Sequence, residues 1–424
     1  MKAYISRIAD QQIKQKLAIM GAVLIEGPKW CGKTTTAEQF TKSQLYLADP
    51  DKKKDYQIIG NADPKSLLDG EKPRLIDEWQ VAPKLWDAIC FDVDHSQSLG
   101  RYILTGSSTP QNKKDIFHSG TGRFAWVKMR PLSLYESGDS NGTVSLETLF
   151  DGPEGLSAKA NEITLKQLAF LSCRGGWPHC QKIPSKSASL QVAFEYINGL
   201  VRGDFSPSET FDERKTNRLR KLLRSLARNQ GTQATLETIK NDMGKNTTSP
   251  NTLKADLNEL RRLFVIEDAL AWNPNLRSQT AIRTSDTRFF VDPSIATAAL
   301  GLGPQDLIED MNTFGLVFET LCFRDLRIYA ELLNGDLYHY RDRNGLECDA
   351  VLHLRNGKYG LIEIKIGGDD LIEEGAASLL DLASKIDTDK MPAPSFKMVL
   401  TGVGSYAYQR EDGVYVVPIG CLKP

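Results

Sequence analysis

The stretch GPKWCGKT at residues 27–34 constrains the fold of this 424-residue chain more than any other feature. It directly follows the apolar run AVLIE and precedes a helical pattern, so it is predicted to link a buried strand to a helix. Gly27 and Gly32 let the backbone curl with its N–H groups turned inward, and the start of the helix adds positive potential. This spacing and context predict a loop that binds the phosphates of a nucleotide.

The members of this loop have distinct predicted roles. Lys33 is predicted to contact the β- and γ-phosphates, and Thr34 to coordinate Mg²⁺ through its hydroxyl. The other predicted nucleotide contacts are Gly27, Pro28, Lys29, Trp30, Cys31, Gly32 and Thr35. A chance glycine-rich turn is the alternative, but it does not explain an acidic strand end further along the chain.

That acidic strand end is RLIDE, where Asp77 closes an apolar run and Glu78 follows it. Asp77 is expected to hold Mg²⁺ through water, and Glu78 to polarise the water that attacks the γ-phosphate. The run YILTGSS places Thr105 or Ser107 where a sensor of the γ-phosphate is expected. GTGRF supplies Arg123, a candidate positive charge for the transition state in cis or in trans, with an ordinary surface arginine as the alternative. These residues predict a hydrolase of nucleoside triphosphates.

Apolar runs that alternate with helical segments predict a parallel α/β sheet for the first part of the chain. The predicted strands are 22–27, 73–80, 100–108 and 124–132, and the predicted helix after the first strand is 35–44. Helical patterns on both sides of GGWPHC predict a small helical lid. The first predicted domain, a core with its lid, therefore spans residues 1–206.

Residues 207–300 are predicted to form a winged helix, because three helical patterns precede two strand-like runs. The first of these helices carries seven Lys or Arg residues at positions 214–228 and no acid, although the whole chain has a formal net charge of -1. This local excess predicts contact with DNA or RNA through the basic helix and the winged helix. A solvated face or an acidic partner is the alternative.

Residues 301–424 are predicted to form a restriction-endonuclease-like α/β domain, with a helix followed by strands. Asp349, Glu363 and Lys365 stand in the order D…ExK, which is typical of restriction-type nucleases. The two carboxylates are expected to bind a divalent ion, Lys365 to act at the scissile phosphate, and Glu319 on the preceding helix to complete the site. The alternatives are a half-exposed strand with alternating charges, or this fold with an inactive site.

The order GPKWCGKTTT, RLIDEWQ, YILTGSS, GTGRF and GGWPHC resembles the AAA-type ATPases whose C-terminal half is described as a domain of unknown function. The resemblance covers nearly the whole chain. It implies an AAA-like core, a winged helix and a restriction-endonuclease-like domain, with ATP as the nucleotide. Apart from the resemblance, the sequence favours ATP over GTP only because it lacks an obvious Asn-Lys-x-Asp motif, which reads guanine. A homo-oligomer is expected if Arg123 acts in trans.

The seven cysteines are scattered without a disulfide framework, and no run reaches the roughly 18 to 20 apolar residues of a membrane span. We therefore expect reduced thiols, a cytoplasmic location and no membrane contact. The leading interpretation is a Mg²⁺-dependent ATPase that couples its nucleotide state to a nucleic-acid-directed C-terminal half. The alternatives are a nucleotide-controlled protein-interaction switch with an inactive nuclease-like domain, and an ATP-gated nuclease.

Overall fold

The computed structural model describes residues 4–106, 119–203, 213–244, 248–274, 285–342 and 345–424. Contacts divide the chain into two compact units, one formed by residues 1–131 with 262–264, the other by 132–261 with 265–424. The predicted boundaries at 206 and 300 both fall inside the second unit, because helices that follow residue 131 pack on helices of the C-terminal half. The division into three domains stays a prediction.

A parallel five-stranded sheet forms the core of the first unit, which confirms the predicted α/β class. Its strands are β1 (Ala22–Glu26), β2 (Ser43–Tyr46), β3 (Arg74–Asp77), β4 (Tyr102–Gly106) and β5 (Phe124–Lys128). They lie in the order β2-β3-β4-β1-β5. Because β1 pairs with both β4 and β5 and is covered on both faces, Val23 and Leu24 are both buried although they point in opposite directions.

The helices of the first unit, in its described residues, are α1 (Ile8–Leu17), α2 (Lys33–Glu38), α3 (Lys53–Ala62) and α4 (Leu85–Ser96). Ile13 of α1 and Ile89 of α4 belong to two separate apolar clusters of the sheet core. The predicted helix at 35–44 was too long, because α2 ends at Glu38 and the chain then enters β2. Only Leu45 of this edge strand is buried, so no apolar run marked it in the sequence.

The second unit is rich in helices. Those in its described residues are α5 (Leu146–Leu149), α6 (Leu165–Arg174), α7 (Lys186–Val201), α8 (Glu213–Arg228), α9 (Leu236–Met243), α10 (Pro250–Arg262), α11 (Pro293–Leu300), α12 (Pro304–Glu309), α13 (Met311–Leu332) and α14 (Asp369–Ser384). Strands β8 (Ile266–Ala269) and β9 (Thr287–Phe290) follow α10 and pair antiparallel. Three helices and a strand pair in this order agree with a winged helix, and that assignment stays a prediction.

A seven-stranded mixed sheet forms the C-terminal part of the second unit. The remaining strands are β6 (Val144–Ser145), β7 (Ser157–Lys159), β10 (Gly335–Arg341), β11 (Glu347–Leu354), β12 (Tyr359–Lys365), β13 (Phe396–Thr401), β14 (Tyr406–Gln409), β15 (Tyr415–Pro418) and β16 (Leu422–Lys423). The sheet has the order β10-β11-β12-β13-β15-β14-β7, while β6 pairs separately with β16. Helix α13 packs on β10 to β12, and α14 on β11 to β13. This arrangement places Glu319 of α13 near β11 and β12.

A buried ion cluster anchors the predicted lid segment within the second unit. Arg324 of α13 donates to Asp292 at 2.9 Å and to the adjacent Asp325 at 2.8 Å, and each of these three side chains is at most 1% exposed. The Gly176 amide donates to Asp292 at 2.9 Å, and the Trp177 indole N–H donates to Ser294 at 2.9 Å. The GGW part of the predicted lid is thus bound to α11 and, through Asp292, to α13.

Candidate functional site

The glycine-rich loop begins where β1 ends. Gly27 has φ +153° and Gly32 has φ +99°, and a Cβ on Gly27 would lie 2.1 Å from the carbonyl oxygen of Met129. Glycine is therefore required at Gly27 both for the backbone angle and for the close approach of a neighbouring strand end. The Lys33 ammonium donates to the carbonyl oxygens of Gly27 at 2.9 Å and Pro28 at 2.8 Å. The charge of this lysine is thereby held against the start of the loop.

Three predicted residues meet at the carboxyl ends of two neighbouring strands. Asp77 ends β3, and Thr105 is its register partner on β4. Asp77 Oδ1 accepts a hydrogen bond from Thr34 Oγ1 at 2.7 Å and another from Thr105 Oγ1. The parallel sheet therefore joins the loop, the acidic strand end and the polar strand end at one oxygen atom.

The oxygen atoms around Asp77 fit a magnesium ion. Burial raises the pKa of Asp77, while the hydrogen bonds from Thr105 and Thr34 and the charge of Lys33 lower it and leave a net increase. The carboxylate charge is thus incompletely compensated by the side chains around it. Hydroxyl and carboxylate oxygens are ligands that Mg²⁺ accepts, so Thr34 and Asp77 are suited to hold it, directly or through water.

Glu78 follows the strand end with φ +54°, an uncommon value for a residue other than glycine. Its Oε2 accepts a hydrogen bond from the side-chain amide of Gln80, whose own Oε1 is buried without a partner. Strained backbone at a candidate site motivates a functional hypothesis. Nothing in the spacing of RLIDEWQ singled out Gln80, whose side-chain amide the fold places in contact with Glu78.

Arg7 is a second residue that sequence reasoning missed. It is 7% exposed and donates to the carbonyl oxygens of Cys31 at 2.8 Å and Arg130 at 2.7 Å. A guanidinium can bind two carbonyls at once because its donors form a rigid fork. Arg7 therefore ties the glycine-rich loop to the chain that leaves β5. No motif marks it, because its partners are backbone atoms far along the sequence.

Arg123 lies at the amino-terminal ends of the strands, whereas the loop lies at their carboxyl ends. It precedes β5, and the first residue of β5 is in register with Ala22, the first residue of β1, whereas the loop follows the last residue of β1. Its guanidinium binds the Asp94 carboxylate, with Nη2 2.7 Å from Oδ2. The predicted contact of Arg123 with the phosphates in cis is thus wrong, since a full strand length separates them, and a role in trans stays a prediction. Ser107 lies outside the described residues.

The four predicted residues of the C-terminal cluster come together. Lys365 Nζ lies 3.6 Å from Glu363 Oε2, and Asp349 accepts a 2.7 Å hydrogen bond from the Ile364 amide. Burial, followed by the charge of Asp349, raises the pKa of Glu363 to about 9. Burial also raises the pKa of Glu319, to which the charges of Asp349 and Glu363 contribute. The three carboxyl groups therefore lie close enough to oppose one another's ionisation.

Two members of this carboxylate cluster already have partners within the unit. Lys365 donates to Glu374 at 2.9 Å, and one oxygen of Asp349 is engaged by a backbone amide. Across the described ranges, no group of three His, Cys, Asp or Glu side chains is placed to hold a metal ion. The metal and nuclease roles of Asp349, Glu363, Glu319 and Lys365 stay predictions, and no catalytic step is assigned to them.

The basic helix α8 uses its apolar side as predicted. Its buried residues include Leu219, Leu222, Leu223 and Leu226. Within the unit, Arg218 forms an ion pair with Asp256 at 2.7 Å, and Arg228 forms one with Asp242 at 3.6 Å. Arg214, Arg220, Lys221 and Arg224 are exposed, and Arg228 is exposed in spite of its ion pair. Most of the basic side chains of α8 therefore lie at the surface of the unit.

The parallel sheet, the glycine-rich loop after β1 and a family match together support a P-loop ATPase domain in the first part of the chain. Residues 20–138 match the family described as "AAA domain". Two families described as domains of unknown function match the rest of the chain, DUF8612 at residues 165–306 and DUF4143 at residues 314–422. The resemblance to an AAA-type ATPase is thus confirmed for the first part of the chain, and the two C-terminal matches carry no functional description.

Two mycobacterial relatives span almost the whole chain. They are uncharacterized protein Mb2031c of Mycobacterium bovis and uncharacterized protein Rv2008c of Mycobacterium tuberculosis, each 23% identical over 414 residues, which is 97% of this chain and 83% of the relative. The similarity therefore includes the ATPase part and both regions that follow it.

Solved structures give only partial likeness. The Walker-type ATPase PABY2304 of Pyrococcus abyssi matches with a TM-score of 0.41 and 14% identity over 70% of this chain and 96% of that one. AMPPCP-bound DnaA from Aquifex aeolicus matches with a TM-score of 0.26 and 10% identity over 60% of this chain and 86% of that one. TM-scores this low do not establish a common fold for the matched lengths.

Among the described residues, none of the helices has the length and apolar character that a membrane span needs.

Proposed function

We propose that this chain binds ATP with Mg²⁺ through the loop at residues 27–34, hydrolyses it, and couples its nucleotide state to nucleic-acid binding by the second unit. One observation carries the catalytic part of this proposal. Thr34 and Thr105 both donate to Oδ1 of Asp77, so the loop and two strand ends converge on one carboxylate. That convergence supports a centre that holds a cation beside the terminal phosphate.

Each residue then has a definite task. The loop amides bind phosphate oxygens, and Lys33 exchanges its carbonyl partners for the β- and γ-phosphates. Bound Mg²⁺ supplies positive charge to the phosphates, held by Thr34 and Asp77. Glu78 orients and polarises the attacking water, while Thr105 reports the presence of the γ-phosphate to Asp77. Water attacks in line and the β–γ bond breaks, which yields ADP and phosphate.

Two variants test this assignment. Lys33→Ala is expected to abolish measurable ATP binding, because the triphosphate loses its main positive charge. Glu78→Gln is expected to retain binding but to lower the rate of phosphate release at least 100-fold, the scale of a lost general base. Calorimetry measures binding, a phosphate assay measures turnover, and Lys54→Ala on exposed α3 is the matched control. Unchanged turnover in both test variants would overturn the assignment.

The nucleic-acid part of the proposal rests on the exposed basic side chains of α8. Arg220, Lys221 and Arg224 lie within two turns of the helix, on the side opposite its buried leucines. If they contact three phosphates, the plot of log affinity against log salt is expected to become less steep by roughly 2 to 3 in the triple alanine variant. Binding of a labelled DNA duplex and of a labelled RNA from 50 mM salt upwards provides the measurement.

A protein-interaction switch is the second candidate, and the ion pairs of α8 favour it. Arg218 and Arg228 already bind acids within the unit, which leaves fewer charges for phosphates. In that case neither DNA nor RNA is retained at physiological salt, and the triple variant has the same weak binding as the parent. The ATPase assignment is independent of this outcome, because its residues all lie in the first unit.

A further inference from the structure

Gln80 lies in a short turn that directly follows the acidic strand end. Glu78 begins this turn, and the Val81 amide closes it with a 3.0 Å hydrogen bond to the Glu78 carbonyl oxygen. Trp79, between the two polar residues, is 3% exposed, and its ring centroid lies 4.9 Å from that of Trp86. Because the indole is packed in the sheet core, the backbone on either side of it is held in place.

The side-chain amide of Gln80 has one defined orientation. Its Nε2 donates to Oε2 of Glu78. Since a carboxylate accepts hydrogen bonds but donates none, the nitrogen of the amide faces Glu78 and the oxygen faces away. That oxygen, Oε1, is buried and has no hydrogen-bond partner among the described residues. An unpaired buried carbonyl lowers stability, so it calls for a functional explanation.

The unpaired oxygen of Gln80 lies at the edge of the sheet where the proposed ATPase residues meet. A Cβ on Gly106 would lie 3.0 Å from it. Gly106 ends β4 and directly follows Thr105, whose hydroxyl donates to Asp77. Gln80 therefore presents a hydrogen-bond acceptor beside the end of β4, in the same turn as Glu78.

We propose that Gln80 and Glu78 bind the attacking water together. This inference rests on the proposed function, because it requires Glu78 to act on a water molecule. Two neighbouring acceptors, Glu78 and Oε1 of Gln80, fix both hydrogens of the water and leave its lone pair to face the γ-phosphorus. As the new oxygen–phosphorus bond forms, one proton passes to Glu78 and the other stays on the phosphate product. The electron pair of the broken bond remains with ADP.

Gln80→Met separates this role from nucleotide binding. Methionine has a similar length and volume, but it neither donates to Glu78 nor offers a carbonyl oxygen. Calorimetry on the full chain is expected to show unchanged affinity for Mg·ATP, while the turnover number falls about 100-fold, the scale of a misplaced reacting group. Gln57→Met on exposed α3 is the matched control and should keep the turnover of the parent. Unchanged turnover in Gln80→Met, or a loss of affinity as large as the loss of turnover, would overturn the proposal.

Combination with Glu78→Gln gives a readout that a structural role would not change. Losses from residues that act as a unit do not add. In the Glu78→Gln background, Gln80→Met is therefore expected to slow the residual single-turnover hydrolysis of labelled ATP by less than about threefold. A further loss of about 100-fold would mean that the two residues act independently and would overturn the proposal.

Gln80→Glu decides the question if Gln80→Met does not fold, because it keeps the shape of the side chain. It places a second carboxylate against Glu78, so turnover should again fall about 100-fold. Turnover equal to that of the parent would contradict the joint binding of water. A parent protein that does not hydrolyse Mg·ATP would instead refute the proposed function.

Discussion

Asp292 is predicted to be among the most sensitive positions for the stability of the second unit. Its carboxylate accepts hydrogen bonds from Arg324 at 2.9 Å, from the Gly176 amide at 2.9 Å, and from the Ser294 amide at 3.0 Å and hydroxyl at 2.5 Å. Asp292→Ala removes all four and leaves the buried Arg324 guanidinium with Asp325 alone. The helix cap of α11 is lost as well.

The expected loss follows from these contacts. Removing one partner of a buried ion pair costs about 3–5 kcal/mol. Because Asp325 remains beside Arg324, we expect the lower end for the pair itself, about 3 kcal/mol. The lost N-cap adds about 1 kcal/mol. The free energy of opening is therefore expected to fall by about 4 kcal/mol, which accelerates exchange of the protected amides of α13 by roughly 1,000-fold.

Hydrogen exchange read by mass spectrometry reports this unit separately from the first, through peptides of α13. Asp381→Ala on α14 is the matched control, because the Asp381–Lys385 pair is 52% and 46% exposed and is expected to contribute less than about 1 kcal/mol. Asp292→Asn, which keeps the shape but not the charge, should lie between them. Exchange no faster in Asp292→Ala than in Asp381→Ala would refute the assignment of Arg324 as a buried charge that depends on Asp292.

Two further predictions concern the candidate sites. Arg7→Ala is expected to weaken ATP binding about tenfold, as measured by calorimetry. The Cys31 and Arg130 carbonyls lose a charged donor that contributes about 1.5–3 kcal/mol, and the loop is no longer held in place. Arg7→Lys should have an intermediate affinity, and an unchanged affinity of Arg7→Ala would exclude an anchoring role. The pKa of Glu363 is raised from 4.5 to about 9, so its contribution to stability is full below pH 4.5 and is lost as pH rises through 9. Glu363→Gln should therefore be more stable than the parent at pH 9 and no more stable at pH 4.5, as measured by urea unfolding, whereas parallel pH profiles would contradict the raised pKa.

The sequence by itself determined the local features of the candidate nucleotide site. The glycine spacing, Lys33 and Thr34 are close neighbours along the chain, and their geometry follows from a strand that enters a tight turn and a helix. The proximity of Asp77 and Thr105 could also be expected, because a parallel sheet aligns the carboxyl ends of its strands. The apolar periodicity of α8 likewise predicted which leucines are buried.

Only the tertiary structure decided how distant parts of the chain combine. Arg7 acts on the backbone of residues that no pattern links to it, and Arg123 lies at the wrong edge of the sheet because strand direction fixes which end faces the loop. The predicted lid packs with the C-terminal half, where Asp292 at the cap of α11 accepts hydrogen bonds from both the lid amide of Gly176 and the buried guanidinium of Arg324. Periodicity reports burial within a helix or strand, but partner choice depends on the long-range packing that brings buried polar groups together.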